Sequence, residues 1–190
     1  VSLGHRLVSR DITRQPDATK FAAGAESTVS KFDGGGWNYA LDAMVNIPLV
    51  TDKLALRVVG GYRHDAGYID NIILNQKDVN DGHSANYRAT LAWTLNPDLE
   101  VLLTYQGSNQ KNNGEFISNK LRKQYRYLPE GRDDDFDRYN MTVKYNAGFA
   151  NFISSTSYFD RATSQRVDQT GAVIGLLPPG ITALQINDFH

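Results

Sequence analysis

Apolar and polar side chains alternate along most of the chain. In residues 36–50, one set of alternate positions is mainly apolar, namely Trp37, Tyr39, Leu41, Ala43, Val45 and Ile47. The positions between them carry Asn38, Ala40, Asp42, Met44 and Asn46. The same alternation returns in residues 53–65, 83–95, 99–107 and 138–146, and weaker versions occupy residues 20–32 and 149–161. Since successive side chains of a strand point to opposite faces, this pattern predicts an all-β antiparallel meander of about seven strands, with one apolar and one polar face.

The connections between these strands differ in length in a regular way. Short turns follow the second, fourth and sixth strands, at residues 50–53, 96–98 and 146–148. Long polar segments follow the third and fifth strands, at residues 65–82 and 107–134, and another follows the seventh; the DGGG link after the first strand is an exception. Pro48 is expected to end the second strand, because proline cannot donate a ladder hydrogen bond. Short turns at one end and long loops at the other are typical of outer-membrane β-barrels.

The aromatic residues of the apolar face are expected near the strand ends. Those predicted near the loop ends are Trp37, Tyr39, Tyr62, Tyr87, Tyr105 and Tyr139, and those near the turn ends are Trp93 and Tyr145. Aliphatic residues occupy the positions between them. Two aromatic girdles around an aliphatic band are typical of a barrel wall in lipid, because amphipathic rings favour the headgroup level. The alternative is a soluble sheet with one buried face.

The opposite face is too charged to be a protein core. We expect the following side chains to face a water-filled or plugged lumen and to form hydrogen-bonded ladders there: Asp42, Arg57, Arg88, Glu100, Arg138 and Lys144. The sequence therefore predicts that the sheet is part of a transmembrane β-barrel in the outer membrane of a Gram-negative bacterium, in contact with membrane lipid and lipopolysaccharide.

Composition removes several other classes of protein. The 20 Lys and Arg residues balance 21 Asp and Glu residues, which argues against a nucleic-acid partner. The chain has no cysteine, so disulfide scaffolds and cysteine-based sites are excluded. It has no run of about 20 apolar residues that would suit a transmembrane helix. The first eleven residues lack the apolar core and small-residue cleavage site of a signal peptide.

The strand count suggests a piece of a larger wall. Bacterial barrels have an even number of strands, and an open sheet edge is not tolerated in hydrocarbon. Seven strands therefore imply further strands outside this chain. Residues 185–190 are expected to lie in a loop.

Three segments resemble one family of membrane proteins. Residues 12–71, from ITRQPD to GYIDN, resemble the junction between plug and barrel in TonB-dependent outer-membrane receptors. Residues 77–106 and the strand pair around RYNMTVKYN extend the resemblance over most of residues 12–160. The resemblance implies that residues 1–17 are the end of a plug domain and that residues 18–190 are the N-terminal part of a barrel with 22 strands in the complete fold. The TonB box and nearly all of the plug are absent, and the first eleven residues depart from the family pattern.

The same resemblance implies a function for the parent protein. It would bind a scarce nutrient outside the cell, such as a ferric siderophore, haem, cobalamin or an oligosaccharide. Energy from the inner membrane, delivered by the TonB protein, would then admit this small-molecule ligand past the plug.

The loop after the fifth strand carries the candidate ligand-binding residues. They are Lys120, Arg122, Lys123, Tyr125 and Arg126, with Lys111, Phe116 and Tyr127 beside them. Such a basic and aromatic cluster could attract an anionic ligand or the phosphates of lipopolysaccharide. The alternative is an ordinary solvated loop.

No motif for catalysis or metal binding emerges. His64 and His83 flank one loop and could meet, but they share no metal-ligand spacing. Asp78 and Asp81, and the run of residues 133–135, are acidic clusters expected in loops, and DVND lacks the glycine and distal glutamate of a calcium loop. Without a nucleophile motif the chain is not expected to be an enzyme, and no cofactor is expected. The alternatives are another outer-membrane barrel, such as an autotransporter, adhesin or hydrolase, and a soluble β-sandwich binding protein.

Overall fold

The computed structural model describes residues 14–114, 119–173 and 185–187. Seven long strands dominate: β1 (Ala22–Lys31), β2 (Trp37–Val50), β3 (Leu54–Asp65), β5 (Gly82–Asn96), β6 (Leu99–Asn112), β8 (Gly131–Asn146) and β9 (Asn151–Asp168). The short elements are β4 (Asp70–Asn71), β7 (Lys123–Gln124), a single helical turn α1 (Thr170–Val173) and β10 (Gln185–Asn187).

The long strands form one antiparallel meander, in the order β1-β2-β3-β5-β6-β8-β9, with β10 added beside β9. This confirms the predicted all-β meander of seven strands. Residues 185–187 pair with β9, so the prediction that they lie in a loop was wrong; residues 188–190 lie outside the described part of the chain. Within that part, β1 and β10 do not pair with each other, and the sheet is open.

Connection lengths follow the predicted division. Tight turns join β2 to β3, β5 to β6 and β8 to β9, and the first is closed by a 3.0 Å hydrogen bond from the amide of Lys53 to the carbonyl of Val50. Asp52 in that turn has a φ of 60°, a left-handed conformation that aspartate adopts more readily than most residues. Long connections join β3 to β5 and β6 to β8 at the opposite end of the sheet.

Two strand boundaries differ from the sequence prediction. Pro48 lies inside β2, paired with Ala55, and the register shifts just beyond it. Proline is tolerated there because the ladder between β1 and β2 stops at Asn46, leaving one edge of β2 free of strand partners. The loop predicted over residues 107–134 is shorter, since β6 runs on to Asn112 and β8 starts at Gly131. These extensions are polar on both faces, so the alternation that marks a strand disappears while the ladder continues.

The register assigns side chains to faces as the alternation predicted. Ile47, Leu56, Leu91, Leu103 and Met141 form one continuous row across β2, β3, β5, β6 and β8. On the same face, Tyr105 contacts Tyr87 and Tyr139, with ring centroids 5.7 and 5.0 Å apart. The aromatic row continues at both sides through Tyr39–Tyr62 and Tyr139–Tyr158 contacts. We call this surface the apolar face.

Very little of the apolar surface is buried. Within the described residues, the buried hydrophobic side chains are Ala55, Ala66, Ile69 and Leu102. Ile69 lies in the connection between β3 and β5, outside the long strands, and Leu102 is on the polar side of β6. The sheet is thus a single layer, and no described element covers its apolar face.

The opposite surface, which we call the polar face, carries several hydrogen bonds between side chains of neighbouring strands. Lys144 and Glu100 form a 2.8 Å ion pair, and Arg138 donates a 2.6 Å hydrogen bond to Gln106. Asn140 donates to the hydroxyls of Ser155 and Ser157 on β9. Of the six predicted charges, Glu100, Arg138 and Lys144 thus take part in side-chain hydrogen bonds along this face.

The segment before β1 lies on the polar face, at its turn end. Asn46, which is 1% exposed, accepts a hydrogen bond from the amide of Asp17 and donates to the carbonyls of Asp17 and Lys20. The amide of Asp52 also donates to the carbonyl of Ala18. Three of these four contacts come from one side chain, so Asn46 fixes the path of residues 17–20 across the ends of β2 and β3.

Candidate functional site

The two long connections form one compact unit at the loop end of the sheet. We define the loop module as residues 66–81 and 119–130, together with residues 168–170 at the end of β9. Its two connections are joined by β4 and β7, which pair in parallel with Asp70 opposite Lys123 and Asn71 opposite Gln124. Gly67 permits close packing inside the module, because a Cβ there would lie 1.9 Å from the carbonyl oxygen of Asp78. The sequence alone predicts two separate loops for these connections.

Asn71 is the central link of the loop module. Its side-chain oxygen accepts hydrogen bonds from the amides of Ile73, Leu74 and Arg126, at 3.1, 3.3 and 3.4 Å. Its amide nitrogen donates to the carbonyl of Arg126 at 3.0 Å. Asn71 is 2% exposed, so its side chain supplies hydrogen-bond partners to backbone groups where water has little access.

A carboxylate anchors the other side of the module. Asp168 accepts hydrogen bonds from the backbone amides of Tyr127, Leu128 and Thr170, and its own amide donates to Glu130. Burial of Asp168 disfavours its ionised form, but the hydrogen bonds from Thr170, Tyr127 and Leu128 outweigh burial and lower the pKa of this carboxyl. The ionised Asp168 carboxylate therefore holds the connection before β8 against the end of β9 through these hydrogen bonds.

The predicted ligand-binding residues point to different parts of this unit. The Arg126 guanidinium pairs with Glu130 at 3.2 Å and donates to the carbonyl of Asp168, so it serves the loop module itself. The Arg122 guanidinium donates to the carbonyl of Asp33 in the DGGG turn and lies 6.0 Å from the ring centroid of Tyr68. Lys120 and Tyr125 are exposed, and Lys123 is half-buried. Lys111 belongs to β6 rather than to the loop, and Phe116 lies outside the described residues.

Exposed apolar side chains accompany these cations on the loop module. Ile72, Ile73, Leu121 and Tyr125 are all exposed, from 41% for Ile73 to 74% for Leu121. The amide of Ile72 donates to the carbonyl of Gln124, which brings Ile72 beside the start of Tyr125. An apolar and cationic surface of this kind can contact a ligand that is both hydrophobic and negatively charged.

The six charges predicted to face a lumen share the polar face, but they differ in their partners. Glu100, Lys144 and Arg138 are paired as described above. Asp42 lies over Gly61, where a Cβ would meet its carboxylate at 2.3 Å, and it lines a cavity of about 260 Å³ with Arg63 and Arg88. The side chains of Arg57 and Arg88 make no hydrogen bond or ion pair with the described residues, and the buried Nε of Arg88 has no acceptor there.

The remaining candidates lie on strands of the sheet. His64 and His83 face each other across β3 and β5, as their positions suggested, but the described residues contain no group of three or more metal-ligating side chains. The residues of the acidic run 133–135 belong to β8, so their placement in a loop was wrong. Asp134 there pairs with Arg132 and Arg161.

Comparison with known proteins does not assign the chain to a family. No known protein family has a sequence profile that matches the chain, and no solved structure matches its fold. Among the residues that the structure describes, no helix is both long and apolar enough to span a membrane.

The buried polar residues that organise both ends of the sheet were not predicted from the sequence. Asn46 was noted only as a polar position of a strand, and Asn71 and Asp168 were not singled out. One signal was available for Asn71: it follows Asp70 in the connection between two predicted strands, where an asparagine side chain can satisfy the backbone of a turn. Its contact with Arg126 spans 55 residues, and nothing local in the sequence indicates it.

Proposed function

We propose that the chain is part of the wall of a transmembrane β-barrel in a Gram-negative outer membrane, and that the barrel is a TonB-dependent nutrient receptor. The observation that carries the proposal is the uncovered apolar face of the sheet. Trp37, Leu41 and Met141 are 61%, 55% and 47% exposed, and they lie on a face that seven strands share. In a soluble protein, a sheet with such a face must bury it against a second layer of secondary structure. A bilayer covers it without one.

The dimensions of the apolar face suit a bilayer. On β3, the apolar positions run from Leu54, which is opposite Trp93, to Tyr62, which contacts Tyr39. Eight residues span about 26 Å along a strand, and a tilt of about 40° reduces this to about 20 Å across the membrane. Outer-membrane barrels have an apolar band of about 25 Å between aromatic girdles. A groove of about 540 Å³ on this face, lined by Leu56, Leu103 and Tyr139 among others, would hold lipid acyl chains.

The path of the chain on the polar face supports the proposal that a plug fills the lumen, as in a receptor. The segment before β1 lies on this face, tethered by Asn46. In a closed barrel the same path would bring the preceding chain into the lumen, which is where the family places its plug. Residues 1–17 would then be the end of the plug, and the barrel would begin with β1.

The loop module would lie outside the cell in this arrangement. Its exposed apolar residues and the exposed cation of Lys120 would meet the nutrient or the phosphates of lipopolysaccharide, whereas Arg122 and Arg126 would hold the module together. Specificity for the nutrient would be shared with other loops and with the plug.

The membrane proposal is tested by placing one charge on either face of β3. Val58 and Val59 are adjacent, and each is 36% exposed, but they point to the apolar and the polar face respectively. Val58→Arg is expected to lower the free energy of unfolding of the complete barrel by roughly 2–4 kcal/mol in bilayers. Val59→Glu should cost less than about 1 kcal/mol, because water or plug side chains solvate the charge and Arg88, directly opposite on β5, attracts it.

Equal effects of the two substitutions would refute the membrane assignment, since a soluble sheet exposes both positions alike. The receptor assignment has its own test: the complete protein should co-purify with the periplasmic domain of TonB. A parent protein that carries an exported passenger domain instead of a plug would contradict it and favour an autotransporter or adhesin.

A further inference from the structure

Three arginines surround a small cavity on the polar face. Arg14, Arg57 and Arg88 line a cavity of about 230 Å³, together with Val59 and Thr90. Arg57 is opposite Thr90 and Val59 is opposite Arg88 in the ladder between β3 and β5, so the two strand arginines are diagonal neighbours on one face.

The third arginine is brought to the cavity by the tether at Asn46. In the ladder between β2 and β3, Asn46 is directly opposite Arg57. The side chain of Asn46 holds Asp17 and Lys20 by backbone hydrogen bonds. Arg14 precedes this held segment by three residues and lines the same cavity as Arg57. The convergence of three cations is thus built from two strands and a fixed segment.

These positive charges lack a counter-ion within the described residues. The side chains of Arg14, Arg57 and Arg88 form no ion pair or hydrogen bond there, and the Nε of Arg88 is buried without an acceptor. Asp42, which lines the neighbouring cavity together with Arg88, lies opposite Gly61 and makes no ion pair with Arg88. Elsewhere on this face cations are paired, as Lys144 is with Glu100 and Arg63 with Asp65. Clustered cations repel each other, and a buried N–H without an acceptor is costly.

We propose that this cavity binds an oxyanion, with the three guanidinium groups as its donors. Guanidinium groups bind carboxylate and phosphate through paired N–H···O hydrogen bonds, and the Thr90 hydroxyl can add another donor. A volume of about 230 Å³ accommodates one such group with a few waters, since each water occupies about 30 Å³. The oxyanion is either free phosphate or a carboxylate from another segment of the parent protein. This inference goes beyond the proposed function, because it requires only the polar face.

The test is a thermal melt of the full chain with inorganic phosphate, against chloride at equal ionic strength. It can be made in detergent micelles or in buffer, so its outcome does not depend on the membrane proposal. Phosphate at about 100 times its Kd should raise the Tm by roughly 5–10 °C. Arg57→Gln and Arg88→Gln should abolish this increase. Arg14→Gln should weaken it without affecting strand pairing, and Arg63→Gln, on the same strand face, should leave it unchanged.

A protein carboxylate in the cavity gives a different result. The complete parent protein would then show no response to phosphate, and Arg57→Gln and Arg88→Gln would each lower its Tm more than Arg63→Gln does, with a larger loss at low salt. The proposal is overturned if phosphate has no effect and neutralising these arginines leaves the Tm unchanged or raises it through relief of repulsion. It is also overturned if phosphate stabilises Arg14→Gln, Arg57→Gln and Arg88→Gln as much as the unmodified chain.

Discussion

Substitution of Asn71 by alanine should detach the two connections of the loop module from each other. The change removes the acceptor of three backbone amides and the donor to the Arg126 carbonyl. It leaves the long strands unchanged, because Asn71 belongs to β4 and pairs only with β7 and with Gln76. The variant therefore isolates the loop module from the rest of the fold.

The expected loss can be worked from the four hydrogen bonds. The two at 3.0 and 3.1 Å contribute about 1 kcal/mol each, and the two at 3.3 and 3.4 Å contribute less. Because Asn71 is buried, water does not replace its hydrogen bonds fully, and the total is about 2–3 kcal/mol of local stability. A tenfold change corresponds to about 1.4 kcal/mol, so the opening equilibrium should rise about 30- to 150-fold.

Amide hydrogen exchange with mass spectrometry measures this change directly. Peptides from residues 68–80 and 119–128 should exchange faster by that factor, while peptides from β5 should not change. Asn71→Asp keeps the three acceptor contacts and should have a smaller effect. Asn96→Ala, at a turn on the opposite end of the sheet, is the control. An increase below threefold in both peptides would show that Asn71 does not hold the connections together.

Two further predictions concern the other buried polar groups. Asn46→Ala removes three hydrogen bonds, which together contribute about 2–3 kcal/mol. Tryptic cleavage after Lys20 should therefore become roughly 30-fold faster or more. The control, Asn38→Ala at the other end of β2, should leave the rate of that cleavage unchanged. The pKa of the Asp168 carboxyl is lower in the folded chain than in the unfolded chain, where it is about 3.9. The stability that this carboxylate gives to the fold is therefore fully present above about pH 3.9, and it is lost as the pH falls through the lower pKa of the folded chain. Exchange at the Tyr127 amide, corrected for its intrinsic rate, should rise over that acidic range, and a rise that begins near neutral pH would contradict the assignment.

The sequence was sufficient for the sheet because its signals are local. Alternation predicted seven strands and the division of their side chains between two faces, and the DGGG and NPD segments marked turns correctly. The same local signal failed where a strand continued beyond its apolar part. Residues 108–112 of β6 are polar on both faces, and their pairing with β8 comes from ladder propagation rather than from burial.

The candidate site was less predictable because its contacts join distant residues. The basic residues of the loop after β6 were visible as a cluster, but their roles depend on partners elsewhere in the chain. Arg126 is held by Glu130 and by the carbonyl of Asp168, which is 42 residues away, and Arg122 reaches Asp33 across 89 residues. The arginine cavity likewise requires the register between β3 and β5, which composition does not reveal.

The parallel pairing of β4 with β7 has a consequence for the order of folding. The hairpin of β5 and β6 lies between these two short strands in the chain, and each of the two forms only two ladder pairs. So few contacts cannot offset the entropy of closing a loop of about 50 residues. The hairpin must shorten that loop first, so the loop module should form late, after the neighbouring strands have paired. Protection of the Asn71 region in a pulse-labelling experiment would therefore mark chains whose central hairpin is already complete.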